Sequence, residues 1–245
     1  MESSAAVAQA KYWHLKQVGL FAGLDGAAVR RLGERADTEL VEAGRAIYRF
    51  GDPADRVYVL KAGRVKVSRA SSDGKELILY FVSPGEIFGE LAITGTERRS
   101  GTAAVLEDAF LCALDRRDFE DFLLHHPELA LEVARVIGRR KERTERRVLE
   151  LISRDVRGRL AGTLAELARD YGAPDERGVR VDLPLTQTDL AQLVGSTRET
   201  TSTVFNEFRR AGLVESEGKT LWVLDPEALG GYPVDGRARR QGRAA

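Results

Sequence analysis

The sequence is poor in the residues that build many protein chemistries: one cysteine, one methionine and three histidines in 245 positions. Cys112 alone excludes an intrachain disulfide, an all-cysteine iron–sulfur site and a structural zinc of the multi-cysteine type. Within the apolar run Ala109-Phe110-Leu111-Cys112-Ala113-Leu114 it reads as a small core residue. His14, His125 and His126 read as surface residues and give no positive support for haem. No apolar run reaches membrane-spanning length, and Met1 to Ala10 lacks the charged-then-apolar pattern of a secretory signal, so a cytoplasmic protein is expected. Nor is there net charge: 38 Lys and Arg balance 38 Asp and Glu. Attraction to a polyanion must come from a local patch, and residues 135 to 159 supply one, with ten basic against four acidic residues. Signals for catalysis are missing as well. There is no nucleophile beside a plausible base, no Walker-type glycine loop and no metal cluster, so neither an enzyme nor a metal site is expected.

Two textures divide what is present. From Lys11 to about Asp115 the chain reads as short strands broken by glycine turns: Val57-Tyr58-Val59-Leu60, then Arg64-Val65-Lys66-Val67-Ser68 with period two, then a hairpin tip at Ser72-Asp73-Gly74-Lys75. Strands at this spacing predict a jelly-roll-like barrel or sandwich. Beyond Asp115 the pattern turns helical. Phe119, Phe122 and Leu123 share one face of a short helix, and Pro127 opens a longer one. In it Val133, Ile137, Arg140, Thr144, Val148 and Leu151 recur at steps of four and three. Flanked by the charged run Arg139 to Arg147, this narrow stripe is expected to pair with its copy in a second subunit, the alternative being packing on its own domain.

Further on, Thr186 is placed to cap a helix with Asp189 reaching back to it, and Gly195 closes that helix in a sharp turn. Ser196 to Val204 opens another helix, whose small polar residues surround Arg198 and Glu199. Glu217-Gly218-Lys219 then turns a small hairpin through Leu221-Trp222-Val223. Helix, glycine turn, helix and β wing predict a winged helix-turn-helix. The tail, with Arg237, Arg239, Arg240 and Arg243, is expected to be disordered. The fold class is therefore α+β, with an N-terminal tail (1–12), a β-barrel domain (13–125), a dimerisation helix (126–153), the winged helix-turn-helix (154–230) and a basic tail (231–245).

Two stretches carry chemistry. Phe88-Gly89-Glu90-Leu91-Ala92, followed by Arg99-Ser100, offers a backbone that a ligand can approach closely, a carboxylate able to accept from a sugar hydroxyl, and a guanidinium fork beside a hydroxyl suited to phosphate oxygens. A surface turn with solvated Glu and Arg is the other reading of those residues. On the helix that Ser196 opens, Arg198 suits guanine O6 and N7 and Glu199 a cytosine amino group, while Thr186, Gln187, Thr200 and Ser202 suit phosphate and sugar.

In this order, these residues resemble the family of bacterial transcription regulators that includes the cyclic AMP receptor protein and the fumarate and nitrate reduction regulator, over roughly Leu20 to Leu224. Phe88-Gly89-Glu90-Leu91 with Arg99-Ser100 looks like its phosphate-binding cassette, and Gly195 to Thr200 like its DNA-recognition helix. The resemblance implies a cyclic-nucleotide-binding barrel, a dimerising helix and a DNA-binding domain. It implies ligand contacts from Gly89, Glu90, Leu91, Arg99, Ser100 and Thr144, with Glu145 where cyclic AMP binders usually offer a hydroxyl. DNA contacts would come from Thr186, Gln187, Ser196, Arg198, Glu199, Thr200, Ser202 and Thr203, the last standing where the best-known relative has a second arginine. The implied function is that of a homodimeric regulator activated by cyclic AMP, binding an inverted-repeat operator and working with RNA polymerase. A member acting without ligand or on another small molecule, and a nucleotide-binding module regulating a protein partner, are the alternatives.

Overall fold

The structure is a computed structural model that describes residues 19–21 and 23–232. The N-terminal tail and residues 233–245 of the basic tail read from the sequence lie outside the described residues. The chain divides into two units, Met1–Ala70 with Leu79–Arg143, and Ser71–Ile78 with Thr144–Ala245.

The first unit opens with helix α1 (Gly26–Arg35), which the strand-dominated reading of this region does not anticipate. Its cause is local: the Asp25 carboxylate accepts from the Ala28 backbone N–H at 2.7 Å, and Ala28, Val29 and Leu32 bury one face. Strands β1 (Asp37–Val41), β2 (Ala46–Tyr48), β3 (Arg56–Ala70), β4 (Glu76–Val82), β5 (Ile87–Phe88) and β6 (Thr102–Asp115) follow. Long β3 and β6 form the antiparallel spine, pairing Val57 with Leu114 and Val67 with Ala103. The order is β1-β6-β3-β4, with β2 on β6 and β5 on β3. The α+β architecture expected from the sequence is present, but among the described residues β1 and β4 do not pair, so hydrogen bonding does not close the sheet into a barrel.

Two apolar clusters flank the spine. One, around Leu60, Val65, Phe88, Ala103 and Leu111, includes Tyr48 and Tyr58. The other joins Phe21, Leu32, Val57, Val59, Leu114, Phe119, Leu129 and Val133, and so ties α1, α2 (Arg116–His125) and the start of α3 (Pro127–Ser153) to the sheet. This placement changes the stripe expected to face a second subunit. Val133 is fully buried in its own domain's core, Ile137 packs half-buried against that core, and Arg140 reaches the buried Glu90 carboxylate. The later members of that stripe, Val148 and Leu151, stay exposed at 49 and 39 %, as do Leu131 and Ile152 beside it at 54 and 81 %.

The second unit contains α4 (Val156–Tyr171), α5 (Gln187–Val194), α6 (Arg198–Arg210) and α7 (Pro226–Gly230). A four-stranded sheet runs in the order β7-β8-β10-β9, from β7 (Gly172–Asp175), β8 (Gly178–Val181), β9 (Val214–Glu217) and β10 (Thr220–Val223). The β9–β10 hairpin is the expected wing. The β7–β8 hairpin widens it, and its short, glycine- and proline-bearing strands give no period-two signal to read. Leu160, Leu164, Leu190, Leu193, Phe205, Phe208 and Val223 are all buried in the unit.

Candidate functional site

In the first unit, β5 ends at Phe88, and Gly89 turns the chain with φ 72° into a short 3-10 segment, Glu90–Thr94. That left-handed conformation is the reason for glycine here; a Cβ would also lie 2.8 Å from Arg99 Nη1. The turn aims Glu90 inward, where only 2 % of the residue is exposed. Arg99 enters from the other side of the same loop and is 6 % exposed. Together with Ser100, Gly101, Leu91 and Tyr80 they line a cavity of about 70 Å³. The two halves of the cassette thus meet at one concavity rather than forming a solvated surface turn.

Arg99 is held at its rim. Its Nη1 donates to the Gly89 carbonyl at 3.1 Å, its Nη2 donates to the Arg56 carbonyl at 2.6 Å, and its guanidinium stands 4.3 Å from the centre of the Tyr48 ring. Tyr48, Tyr58 and Phe88 stack beneath it at centroid separations of 5.1 to 6.3 Å. Arg99 Nε is buried and has no hydrogen-bond partner among the described residues. A buried donor without an acceptor is costly, so the chemistry of this pocket suits an anion that supplies one.

The residue that the sequence left unassigned to this site is Arg140, which reaches in from α3. Its Nη1 lies 2.8 Å from the Glu90 carboxylate, its Nη2 donates to the Ile87 carbonyl at 2.7 Å, and its guanidinium sits 4.2 Å from the centre of the Tyr80 ring. Burial opposes the charge on Arg140, yet the neighbouring Tyr80 and Glu90 more than compensate and its pKa is raised. Burial pushes the Tyr80 and Tyr48 hydroxyls well above the ordinary tyrosine range, so both remain neutral donors. Arg69, Arg98 and Arg99 line the cavity with Glu90, whose carboxylate Arg140 pairs from α3, so the lining carries an excess of positive charge for a ligand. Thr144, expected as a ligand contact, is not among the residues lining this cavity.

In the second unit, Thr186 caps α5 through a complete capping box: its Oγ1 accepts from the Asp189 N–H at 3.1 Å, and Asp189 Oδ2 accepts from the Thr186 N–H at 2.9 Å. Thr186 Oγ1 also donates to Asp189 Oδ2 at 2.5 Å, so the hydroxyl expected on a phosphate is engaged within the helix cap. Gly195 closes α5 with φ 66°, and Arg159 Nε donates to the Val194 carbonyl at 2.8 Å behind the turn. Thr197, which the sequence reading passed over, is the α6 cap and accepts from the Thr200 N–H at 3.2 Å. Arg198, Glu199, Thr200 and Thr203 are exposed on the first turns of α6, while Thr201, Val204, Phe205 and Phe208 face inward. Ser196 and Ser202 are half-buried, and the Ser202 hydroxyl donates to Gln187 Oε1 at 3.1 Å, linking the starts of α5 and α6. Thr203 Oγ1 donates back to the Glu199 carbonyl at 3.0 Å. Its own backbone N–H and the Thr197 hydroxyl hold the Glu199 carboxyl below its ordinary range.

Comparison with known proteins follows this division. Residues 38–126 match the cyclic nucleotide-binding domain family, and residues 158–232 match the Crp-like helix-turn-helix domain. A CRP-like cAMP-activated global transcriptional regulator of Mycobacterium tuberculosis is 33 % identical over 215 residues, 88 % of this chain and 96 % of that protein. The global nitrogen regulator of a Synechocystis strain is 32 % identical, covering 83 % of this chain and 92 % of the relative. Among solved structures, a CRP/FNR-family regulator from Thermus thermophilus superposes with a TM-score of 0.65 at 30 % identity, over 79 % of this chain and 96 % of that one. No helix among the described residues is long and apolar enough to cross a membrane. With a nucleotide-binding domain and a helix-turn-helix in one chain, both matched along nearly the full length of such relatives, this protein belongs to the CRP/FNR family of transcription regulators.

Proposed function

We propose that the protein is a homodimer that binds an inverted-repeat operator through α6 and is activated by cyclic AMP in the Glu90–Arg99 pocket. The observation that carries the effector half is that one cavity is lined by both a buried sugar-hydroxyl acceptor, Glu90, and a buried guanidinium, Arg99, whose Nε lacks a partner among the described residues. A cyclic phosphate bears one negative charge, and with Glu90 paired to Arg140 the Arg99 guanidinium in the cavity wall is left to meet it. The cyclic AMP dependence stated for the Mycobacterium tuberculosis relative supports the same ligand. On the DNA side, Arg198 and Glu199 are exposed at the start of a helix whose opposite face is buried, the geometry of a recognition helix in a major groove. Arg198 reads a G·C pair, Glu199 a cytosine amino group, and the hydroxyls of Ser196 and Thr200 suit phosphate. RNA polymerase is the further partner of such a regulator.

Titration calorimetry with cyclic AMP, cyclic GMP and 2-oxoglutarate, followed by gel-shift assays on promoter fragments with and without the tightest ligand, tests both halves. Tightest binding by cyclic AMP, together with a gain in DNA affinity, is the expected result. DNA affinity indifferent to every ligand removes the effector half and leaves a regulator that acts without one.

A further inference from the structure

Three arginines line the cavity, and burial divides them. Arg99 is 6 % exposed, whereas Arg69 and Arg98 are both solvent-exposed. A lining residue that is also exposed stands on the solvent side of a cavity, so Arg69 and Arg98 mark its entrance. The backbone fixes where they stand. Residues 97–99 run beside residues 51–54: the Ala54 N–H donates to the Glu97 carbonyl at 2.8 Å, the Arg99 N–H to the Asp52 carbonyl at 2.8 Å and the Gly51 N–H to the Arg99 carbonyl at 2.9 Å. On that frame Arg98 Nη1 donates to the Gly51 carbonyl at 2.8 Å, which holds the guanidinium and leaves its other N–H groups for water or a ligand. Arg69, one residue before the end of β3, runs its stem past Gly101, where a Cβ would lie 3.3 Å from Arg69 Cγ. It therefore stands beside Arg99 and Ser100 although it comes from a distant part of the sequence. Charge at the entrance is one-sided. Among the described residues Glu90 is the one acid in the lining, and Arg140 already pairs with it. Asp52 and Glu97 neighbour Arg98 along the backbone, but neither lines the cavity.

We infer that Arg69 and Arg98 steer the effector: they draw an anionic ligand to the cavity entrance and speed its capture, while the strength of the final contact is left to Arg99 and Glu90. The inference rests on the cyclic phosphate effector proposed above. A cleft lined by charge of one sign concentrates ligands of the other sign and raises association rates by about tenfold to a thousandfold, an effect that fades as salt rises. Charges at the edge of a binding site act mainly on the association rate and its salt dependence, whereas a buried, hydrogen-bonded charge acts on the dissociation rate. Burial sorts the three arginines between these roles. Arg99, desolvated and fixed on the Gly89 and Arg56 carbonyls, belongs to the second kind, and the two exposed guanidiniums belong to the first. Exposure also keeps the entrance from trapping the ligand. In water an ion pair is weak and screened, so a phosphate attracted by Arg69 and Arg98 is free to move on to the drier site behind them.

The test measures both rate constants and not affinity alone. Stopped flow with a cyclic AMP labelled at C8 is run on the full-length parent, on a chain carrying both Arg69→Gln and Arg98→Gln, and on Arg99→Gln, at about 20 and about 200 mM salt. At the lower salt the double variant should associate about five- to tenfold more slowly than the parent, dissociate within about twofold of it, and lose most of the salt dependence of association. Arg99→Gln should do the reverse and raise the dissociation rate. Arg69→Gln alone, which removes no hydrogen bond among the described residues, should slow association about two- to threefold, so the test does not depend on the bond from Arg98 to Gly51. Lysine at both positions keeps the charge without the planar fork and should restore the parental association rate. Association by the double glutamine variant within about twofold of the parent overturns the inference. A loss that falls mainly on dissociation also overturns it, because the two arginines would then be contacts in the bound state, and so does a lysine chain no faster than the glutamine one. If the parent binds neither the labelled nucleotide nor, in calorimetry, unlabelled cyclic AMP, the effector reading beneath the inference is what fails.

Discussion

The Arg140 guanidinium lies 2.8 Å from the Glu90 carboxylate, so a residue of the long helix neutralises the acid presented by the loop after β5. Both groups are removed from water, and neither is comfortable alone. Arg140→Ala is expected to lower unfolding stability by about 2–4 kcal/mol, because truncating one partner of a buried pair leaves an uncompensated charge. Urea denaturation checks this, and Glu90→Gln added to the same chain should recover a substantial part of the loss. Equal stability of Arg140→Ala and parent would mean that the pair carries no structural weight.

Arg99 serves the fold as well as the pocket, since it bridges the Gly89 and Arg56 carbonyls. Arg99→Ala should weaken cyclic AMP binding by roughly 2–4 kcal/mol in calorimetry, as expected for removing a desolvated charged contact. With two carbonyls losing their donor, we expect a further loss of about 1–2 kcal/mol in unfolding stability. Unchanged ligand affinity would take the phosphate away from Arg99.

Along α3, position decides the effect of a new charge. Ile137→Glu inserts a carboxylate against the apolar cluster of its own domain and should lower the melting temperature whatever the oligomeric state. Ile152→Glu, at a site 81 % exposed, should leave the melting temperature of the monomer unchanged and shift the chain toward monomer in sedimentation. An intact dimer for Ile152→Glu moves the seam elsewhere.

Arg198→Ala should cost roughly 1–3 kcal/mol at the preferred operator and flatten the choice at a single G·C pair. Thr197→Ala acts differently. Loss of the cap destabilises α6 by about 1 kcal/mol and should weaken binding to all sequences alike. Selection from a randomised operator library separates the two: if Arg198→Ala recovers the parental preference, that side chain does not touch the base.

What the sequence made legible was mostly local. Gly89-Glu90 and Arg99-Ser100 lie on one loop, so their meeting needs only a turn, and the Thr186–Asp189 capping box is complete within four residues. Arg140 was visible as a charged member of a stripe, but which element it would reach depends on how α3 packs against the sheet. Which stripe of α3 the domain buries was hidden for a related reason. The stripes through Val133, Ile137 and Arg140 and through Leu131, Ala134 and Gly138 share the same three-and-four spacing, and only the core decides which of them the domain takes for itself. Helix α1 was masked by the glycine-rich texture around it, although the Asp25 cap was present to be read.

The aromatic stack of Tyr48, Tyr58 and Phe88 bears on how a ligand would be felt. It immobilises the Arg99 side chain during folding, and Tyr80 does the same for Arg140. Arginine otherwise loses close to 2 kcal/mol of rotamer entropy when it is fixed. Here that loss is incurred before any effector arrives. Association at this pocket should therefore carry a small entropic penalty from the protein, and opening the stack, as in Tyr48→Ala, should show as a more unfavourable binding entropy with the enthalpy of the phosphate contact largely retained.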